Sequence, residues 1–172
     1  LYHKCISDVV RWHAENPADW LAAWKKIEEK WQDDVDCDPG KPFNIDAKLN
    51  GAYIACGLLY GQGDWQQTME IATRCGQDSD CNPSSACGVL GAMIGYAKIP
   101  AQYQPELDQL ADTKFSFTEY SFNDIVKSTE ARALKIIQQA GGKVSETEVA
   151  IPRQSPKAPK LALSNFGVPA KV

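Results

Sequence analysis

With 172 residues the chain is long enough for one domain with a sizeable core, and 44% hydrophobic against 23% charged residues excludes a disordered or collagen-like polymer. The net charge of −4 is uneven: Arg153, Lys157, Lys160 and Lys171 stand without an acid in residues 151–172, leaving −8 on the first 150. That acidic body lacks the basic face a nucleic-acid backbone requires, and no apolar run approaches the roughly 20 residues needed to span a bilayer, so neither nucleic acid nor membrane is an expected partner.

Residues 1–14 read as a helix with Ile6, Val9 and Val10 on one face, joined by Cys5 and His13. Both histidines, His3 and His13, read as surface or boundary residues rather than catalytic bases. Asn16-Pro17 has the form of a cap and a first-turn proline, and predicts a second helix running to about residue 32. Its apolar stripe is Trp20, Leu21, Trp24, Ile27 and Trp31. The run from Asp33 to Gly40 breaks that helix. Asp34, Asp36 and Asp38 alternate like the start of a calcium loop, but Pro39 stands where glycine belongs and Ile45 where glutamate belongs, so a solvated acidic loop is the reading.

A third helix is predicted over 46–60, through Leu49, Tyr53, Ile54, Cys56, Leu58 and Leu59, with Gly61-Gln-Gly63 ending it. Asp64 caps a short helix from Trp65 to about Arg74, with Trp65, Met69 and Ile71 or Ala72 inward. Residues 75–100 then join a polar loop to a helix of small residues. Gly76 suits a sharp turn, and Asp78 and Asp80 present two carboxylates within three residues, the oxygen donors that magnesium takes together with waters. Asn82 and Pro83 read as N-cap and first helical residue, which places the two acids ahead of a positive helix end. Ser84, Gly88, Gly91 and Gly95 fall on one face of that helix. Each glycine costs about 1 kcal/mol against alanine, so the expectation is a central, nearly buried helix lying against a neighbour. Taken without a family, an Asp-x-Asp loop is equally an ordinary solvated turn.

Ile99-Pro100 stops the helix, 101–120 are mixed with one helical turn near 105–110, and Ser121 opens the last long helix with Asp124 as its capping-box partner. Ile125, Ala133, Ile136 and Ile137 are expected to face the core, with Gly141-Gly142 ending the helix. Val144 to Ile151 can pair as a strand, and the Pro-rich remainder reads as a linker or the edge of another domain. The organisation expected is an all-α portion over 1–142 and an extension over 143–172. The six cysteines form no C-x-x-C pair, so reduced, mostly buried thiols are expected rather than a zinc site. The expectation for compartment leans cytoplasmic, and the opening on Leu1 leaves it undecided.

Gly76-Gln-Asp78-Ser-Asp80-Cys-Asn82, then Gly88-x-x-Gly91-Ala and Ile99-Pro100, resembles the C-terminal signature of the ADP-ribosylglycohydrolase family. Upstream, Asn50-Gly-Ala and Leu58-Leu-Tyr-Gly-x-Gly-Asp64-Trp resemble the approach to that signature in bacterial members, so the likeness spans about 44–103. The resemblance implies an all-α fold, two Mg²⁺ ions or sometimes Mn²⁺, and hydrolysis of ADP-ribose from a modified protein or a small ADP-ribosyl compound. It implies Asp78 and Asp80 as metal ligands with Cys81 at the position where a threonine hydroxyl often ligates, and it brings Gly76 and Asn50 forward on the substrate side. The family's other ligands come from a Thr-Asp-Asp motif and a G-D-A-x-G stretch in its N-terminal half, and neither occurs here. The chain therefore reads as a C-terminal half that needs its missing N-terminal portion. A catalytically silent member, or a helical interaction domain with a capped turn, are the other two readings.

Overall fold

The computed structural model describes residues 2–32, 45–104, 106–155 and 157, and they fall into two compact units that divide between Pro105 and Glu106. The acidic run from Asp33 to Gly40 and most of the Pro-rich tail lie outside the described residues.

The first unit is a helical bundle: α1 (Tyr2–Glu15), α2 (Trp20–Trp31), α3 (Ala47–Tyr60), α4 (Trp65–Arg74) and α5 (Cys81–Ile94), followed by single 3₁₀ turns at Tyr96–Lys98 and Ala101–Tyr103. Three of its helices start on an aspartate that accepts backbone N–H groups left over at a helix end. Asp19 takes the N–H of Ala22 at 2.9 Å, Asp46 those of Lys48 and Leu49 at 2.9 and 3.2 Å, and Asp64 that of Gln67 at 2.7 Å. The second helix thus begins at Asp19-Trp20, and Asn16-Pro17, expected as its cap and first turn, lie in the connection instead.

α3 is the centre of the unit, in contact with α1, α2, α4 and α5. Leu49, Ala52, Tyr53 and Cys56 have no exposed surface at all. Around them pack Cys5, Val9 and Trp12 of α1, Ala23, Ile27 and Trp31 of α2, and Ile71 of α4. Complete burial of a side chain such as Leu49 or Ile27 contributes about 1.5–3 kcal/mol each, so this cluster outweighs the caps in holding the bundle. Trp12 replaces Val10 in the expected stripe of α1, and Leu21 of α2 is exposed. On α4, Thr68, Ile71 and Ala72 face inward while Trp65 and Met69 are half-buried.

The small-residue helix is not the buried centre that its glycines suggested. On α5 Asn82, Ala86 and Leu90 are buried, whereas Val89 and Met93 are 47% and 74% exposed. A Cβ on Gly88 would meet nothing within 4 Å among the described residues, and one on Gly91 would touch Trp65 at an ordinary 3.6 Å. Gly95 has left the helix, as its C-cap with φ +83°. In this unit close approach falls instead at Gly57 of α3 and at Gly61, the C-cap of that helix. At Gly57 a Cβ would stand 2.9 Å from the Cβ of Ala72, and at Gly61 it would run into Thr68. The start of α5 also moves: Asp80 is the N-cap, and Asn82 and Pro83 are the second and third helical residues. Pro83 still sits in the first turn, where its missing N–H would have had no helical partner.

In the second unit α6 (Leu107–Leu110) is a single turn and α7 (Phe122–Gln139) the main element. Ser121 and Asp124 close the expected capping box. Gly141, at φ +85°, turns the chain out of α7 into a two-residue hairpin, β1 (Lys143–Val144) and β2 (Val149–Ala150), paired Lys143 with Ala150 and Val144 with Val149. The expected inward face of α7 is corrected: no residue of the helix is buried, Ile125 and Ile136 are 44% and 64% exposed, Ala133 is exposed and Ile137 half-buried. Among the described residues the fold is all-α apart from the small hairpin, as expected.

Candidate functional site

The site grows from the join between α4 and α5. At the end of α4 the indole N–H of Trp24 donates to the carbonyl of Cys75 at 2.8 Å, pinning the exit of the helix to α2. Gly76 and Gln77 then take positive φ, +96° and +55°, which reverses the chain in one step. Glycine adopts that conformation without cost, as expected for Gly76. The carbonyl of Asp78 accepts the N–H of Asn82 at 2.9 Å, and that bond opens α5.

Asp78, Asp80 and Cys81 meet on this turn, their ligand-type atoms all within 4.8 Å of one another. Asp78 is half-buried, while Asp80 and Cys81 are exposed, so the cluster faces solvent. The Asp80 carboxylate is held below the usual range by its hydrogen bond with the Asp78 side chain and by the backbone N–H groups of Asp80 and Cys81. The Cys81 thiol is pushed the other way, by its hydrogen bond with Asp78 and by the two neighbouring carboxylates. The helix end behind them adds partial positive charge that favours the ionised Asp80. Two carboxylates on a rigid turn are a donor set that suits a hard divalent cation completing its shell with water. The thiol does not suit magnesium, since soft sulfur prefers softer ions.

Asn50 sits beneath the loop on α3, 7% exposed. Its side-chain Oδ1 accepts the Asp78 N–H at 3.4 Å and the Asn82 Nδ2 at 2.8 Å, and its own Nδ2 donates to the Asp46 carbonyl at 3.2 Å. Asn82 is 1% exposed and donates a second time, to the Gly76 carbonyl at 3.4 Å. The structure therefore brings Gly76, Asp78, Asp80 and Cys81 together on one turn with Asn50 below them. Asn82, which the sequence presents as a cap, is instead the buried link from α5 to α3. The readable signal was an asparagine at each of two positions inside otherwise apolar helices. His3 is exposed, and His13 packs edge-on against Tyr60, at the far end of α3 from Asn50.

Residues 1–134 match the family model described as ADP-ribosylglycohydrolase. No curated protein and no solved structure matches the chain.

Proposed function

Since this chain belongs to the ADP-ribosylglycohydrolase family, we propose that it serves a metal-assisted hydrolysis of N- or O-glycosidic bonds to ADP-ribose, with Asp78 and Asp80 as ligands of the metal. Family membership makes it an ADP-ribosylglycohydrolase-like hydrolase, from a metal-dependent family with ADP-ribosylated substrates. The observation that carries the finer reading is the meeting of two carboxylates and a thiol on the signature turn.

The ion proposed is Mg²⁺, two of them in a complete site, with Mn²⁺ as a substitute that tolerates the neighbouring thiol better. Bound there, it supplies Lewis-acid stabilisation and an activated water for attack at the anomeric carbon. The chain's own residues do the rest by position. Asp78 and Asp80 act as anionic ligands rather than as a proton-shuttling pair, since the metal is the proposed source of the activated water, and Asp80 is held below the usual carboxylate range by its hydrogen bonds. Gly76 and Asn50 shape the substrate side of the turn, Gly76 through its backbone and Asn50 through the N–H that it accepts from Asp78.

Two carboxylates do not complete an octahedral pair of sites, and the Thr-Asp-Asp and G-D-A-x-G segments are not in this sequence. The remaining ligands are therefore proposed to come from an N-terminal portion outside it, this chain being the C-terminal part of a bacterial-type member and inactive alone. Cys81 at a position where the resemblance brings a hydroxyl ligand supports a second reading, a silent member that keeps the fold for binding.

The test is release of ADP-ribose from an ADP-ribosylated protein and from a small ADP-ribosyl compound, with Mg²⁺ or Mn²⁺, by this chain alone and together with the N-terminal portion. Activity is expected only in the combination, and Asp78→Ala or Asp80→Ala should abolish it with the helical signal intact. Full activity in the double alanine variant would sink the metal assignment. No activity in any combination, with metal still bound, would leave the silent member as the reading.

A further inference from the structure

The turn that carries the carboxylates is held from below by one buried contact between two helices. Asn82 on α5 and Asn50 on α3 are 32 positions apart in sequence, and their carboxamides meet at 2.8 Å with almost no exposure to water. A buried carboxamide is costly unless its hydrogen-bonding groups are matched, and here the matches are directional. Asn82 acts as donor twice, to Asn50 Oδ1 and to the Gly76 carbonyl. Asn50 acts as acceptor twice, from Asn82 and from the backbone N–H of Asp78, and as donor to the Asp46 carbonyl. The arrangement touches the loop at two points, the carbonyl of Gly76 and the N–H of Asp78, and the first turn of α5 behind it. Asp46 closes the chain by capping α3 with its side chain while its carbonyl takes the Asn50 amide.

We propose that Asn82 is a positioning residue for metal binding, fixing the Gly76–Asp78 turn to α3 by donating to Asn50 and to the Gly76 carbonyl, so that the carboxylates of Asp78 and Asp80 stand together before an ion arrives. The inference rests on the reading of Asp78 and Asp80 as ligands, and it adds which buried group sets their geometry and in which direction its hydrogen bonds must run. Asn82 touches neither ion nor substrate. Its effect passes through Asn50 and the backbone of the turn. Groups behind metal ligands typically change affinity by about 10- to 100-fold when removed, so the effect is large enough to measure.

The direction of the bonds gives a test that a merely structural role would not satisfy. Asn50→Asp keeps an acceptor facing both Asn82 and the Asp78 N–H and adds negative charge beneath the site, while giving up the bond to the Asp46 carbonyl on the side away from the turn. Asn82→Asp puts acceptor against acceptor at Asn50 and at the Gly76 carbonyl. The experiment measures Mn²⁺ binding to the whole chain by electron paramagnetic resonance, and hydrogen exchange of the Asp78 amide by NMR, for the native chain, Asn82→Asp, Asn82→Ala and Asn50→Asp. Asn50→Asp is expected to keep protection of the Asp78 amide and to lose less Mn²⁺ affinity than Asn82→Asp. Asn82→Asp is expected to lose about tenfold or more, together with protection of the Asp78 amide, while the far-UV helical signal stays. Native affinity and native protection in Asn82→Asp would overturn the proposal.

If the native chain alone holds Mn²⁺ too weakly to titrate, as an incomplete ligand set would, the metal reading is decided by the combined protein. The amide then decides the positioning role: lost protection in Asn82→Asp supports it, and unchanged protection overturns it. Should Asn82→Asp fail to fold, Asn50→Asp is compared with Asn50→Leu, which removes the acceptor. Retained Asp78 protection and Mn²⁺ affinity in Asn50→Leu would overturn the proposal, and their loss in Asn50→Leu but not in Asn50→Asp would support it.

Discussion

Gly57 on α3 and Ala72 on α4 leave no room between them for a methyl group: a Cβ added at Gly57 would lie 2.9 Å from the Cβ of Ala72 and 3.0 Å from the carbonyl oxygen of Thr68. Both contacts are with atoms that cannot swing aside, since one is backbone and the other sits directly on it. Gly57→Ala should therefore lower stability by about 1–3 kcal/mol through overpacking, despite alanine's better helix propensity. Gly88 on α5 is the control. With open space around it, Gly88→Ala should raise stability by about 0.5–1 kcal/mol. Urea unfolding of both variants checks the pair, and equal effects at the two positions would show that the crossing of α3 and α4 is looser than described.

That contrast also shows what the sequence could and could not tell. The helices of the bundle and the capping roles of Asp64 and Ser121 were legible, because apolar periodicity and cap chemistry are local. The acidic turn was legible too, since Gly76 and the two aspartates define it within five residues. Which helix lies at the centre was not legible. α3 and α5 are both apolar and rich in small residues, and the regular spacing of Gly88, Gly91 and Gly95 pointed to the wrong one. Gly57 and Gly61 do the close packing together with Thr68 and Ala72, a match that exists only once α4 has folded back. The stripe of α7 failed for a related reason: periodicity shows which face of a helix is apolar, not whether another element covers it. The role of Asn82 was hidden because a cap and a buried interhelical donor use the same side chain.

The Tyr53 hydroxyl, fully buried on α3, donates to the Glu28 carboxylate of α2, and burial first and that carboxylate second push its ionisation well above the ordinary tyrosine range. Tyr60, on the same helix, is pushed up to about 12, mainly by burial. A raised native value means that stability is complete below the unfolded value of about 10 and falls as pH rises beyond it, when the unfolded phenol ionises and the folded one cannot. The bundle should therefore begin to lose stability near about pH 10. Tyr53→Phe should be destabilised by about 1–3 kcal/mol at neutral pH, from the lost bond to a charged acceptor, and should show a shallower alkaline slope. Chemical unfolding over roughly pH 8 to 11, the span around the phenol value, measures both. An unchanged alkaline slope would show that Tyr53 is not the group responsible.

Asp124 has the opposite sign. Its carboxylate is held far below the usual range by Lys114, 2.6 Å away, and then by the backbone N–H and hydroxyl of Ser121, each at 2.9 Å. A depressed native value gives stability that is complete above the unfolded value of about 4 and is lost as pH falls below it. The first turn of α7 should then open in acid before the five-helix bundle does, because its anchor is this exposed pair rather than a buried core. Hydrogen exchange of the Ile125 amide, whose N–H bonds to the Ser121 carbonyl at 3.0 Å, reports it. Protection should be flat above about pH 5 and fall below about pH 4, and Asp124→Ala should remove the pH dependence. Protection that stays level through acid would mean that the backbone contacts there, the Lys114–Ser121 bridge and the bond from the Asn123 N–H to the Ala111 carbonyl, hold the start of α7 without the capping box.

The last expectation concerns the thiol beside the carboxylates. Cys81 contributes its sulfur to the same small volume as the oxygens of Asp78 and Asp80. Sulfur is a soft donor that favours zinc over magnesium, whereas carboxylates and water suit magnesium and manganese. The native chain should accordingly show a larger preference for Zn²⁺ over Mg²⁺ than the two carboxylates alone would give. Cys81→Thr should narrow that preference by weakening Zn²⁺ and by presenting a hard hydroxyl oxygen to Mg²⁺, with Cys81→Ala weakening Zn²⁺ but offering Mg²⁺ nothing in return. Because Cys81 is exposed and starts a helix whose buried residues are Asn82, Ala86 and Leu90, neither change should disturb the fold. Titration calorimetry with each ion across the three chains gives the selectivity directly. If Zn²⁺ and Mg²⁺ affinities move together, or not at all, Cys81 is a bystander on the turn, and the carboxylates of Asp78 and Asp80 define the donor set without it.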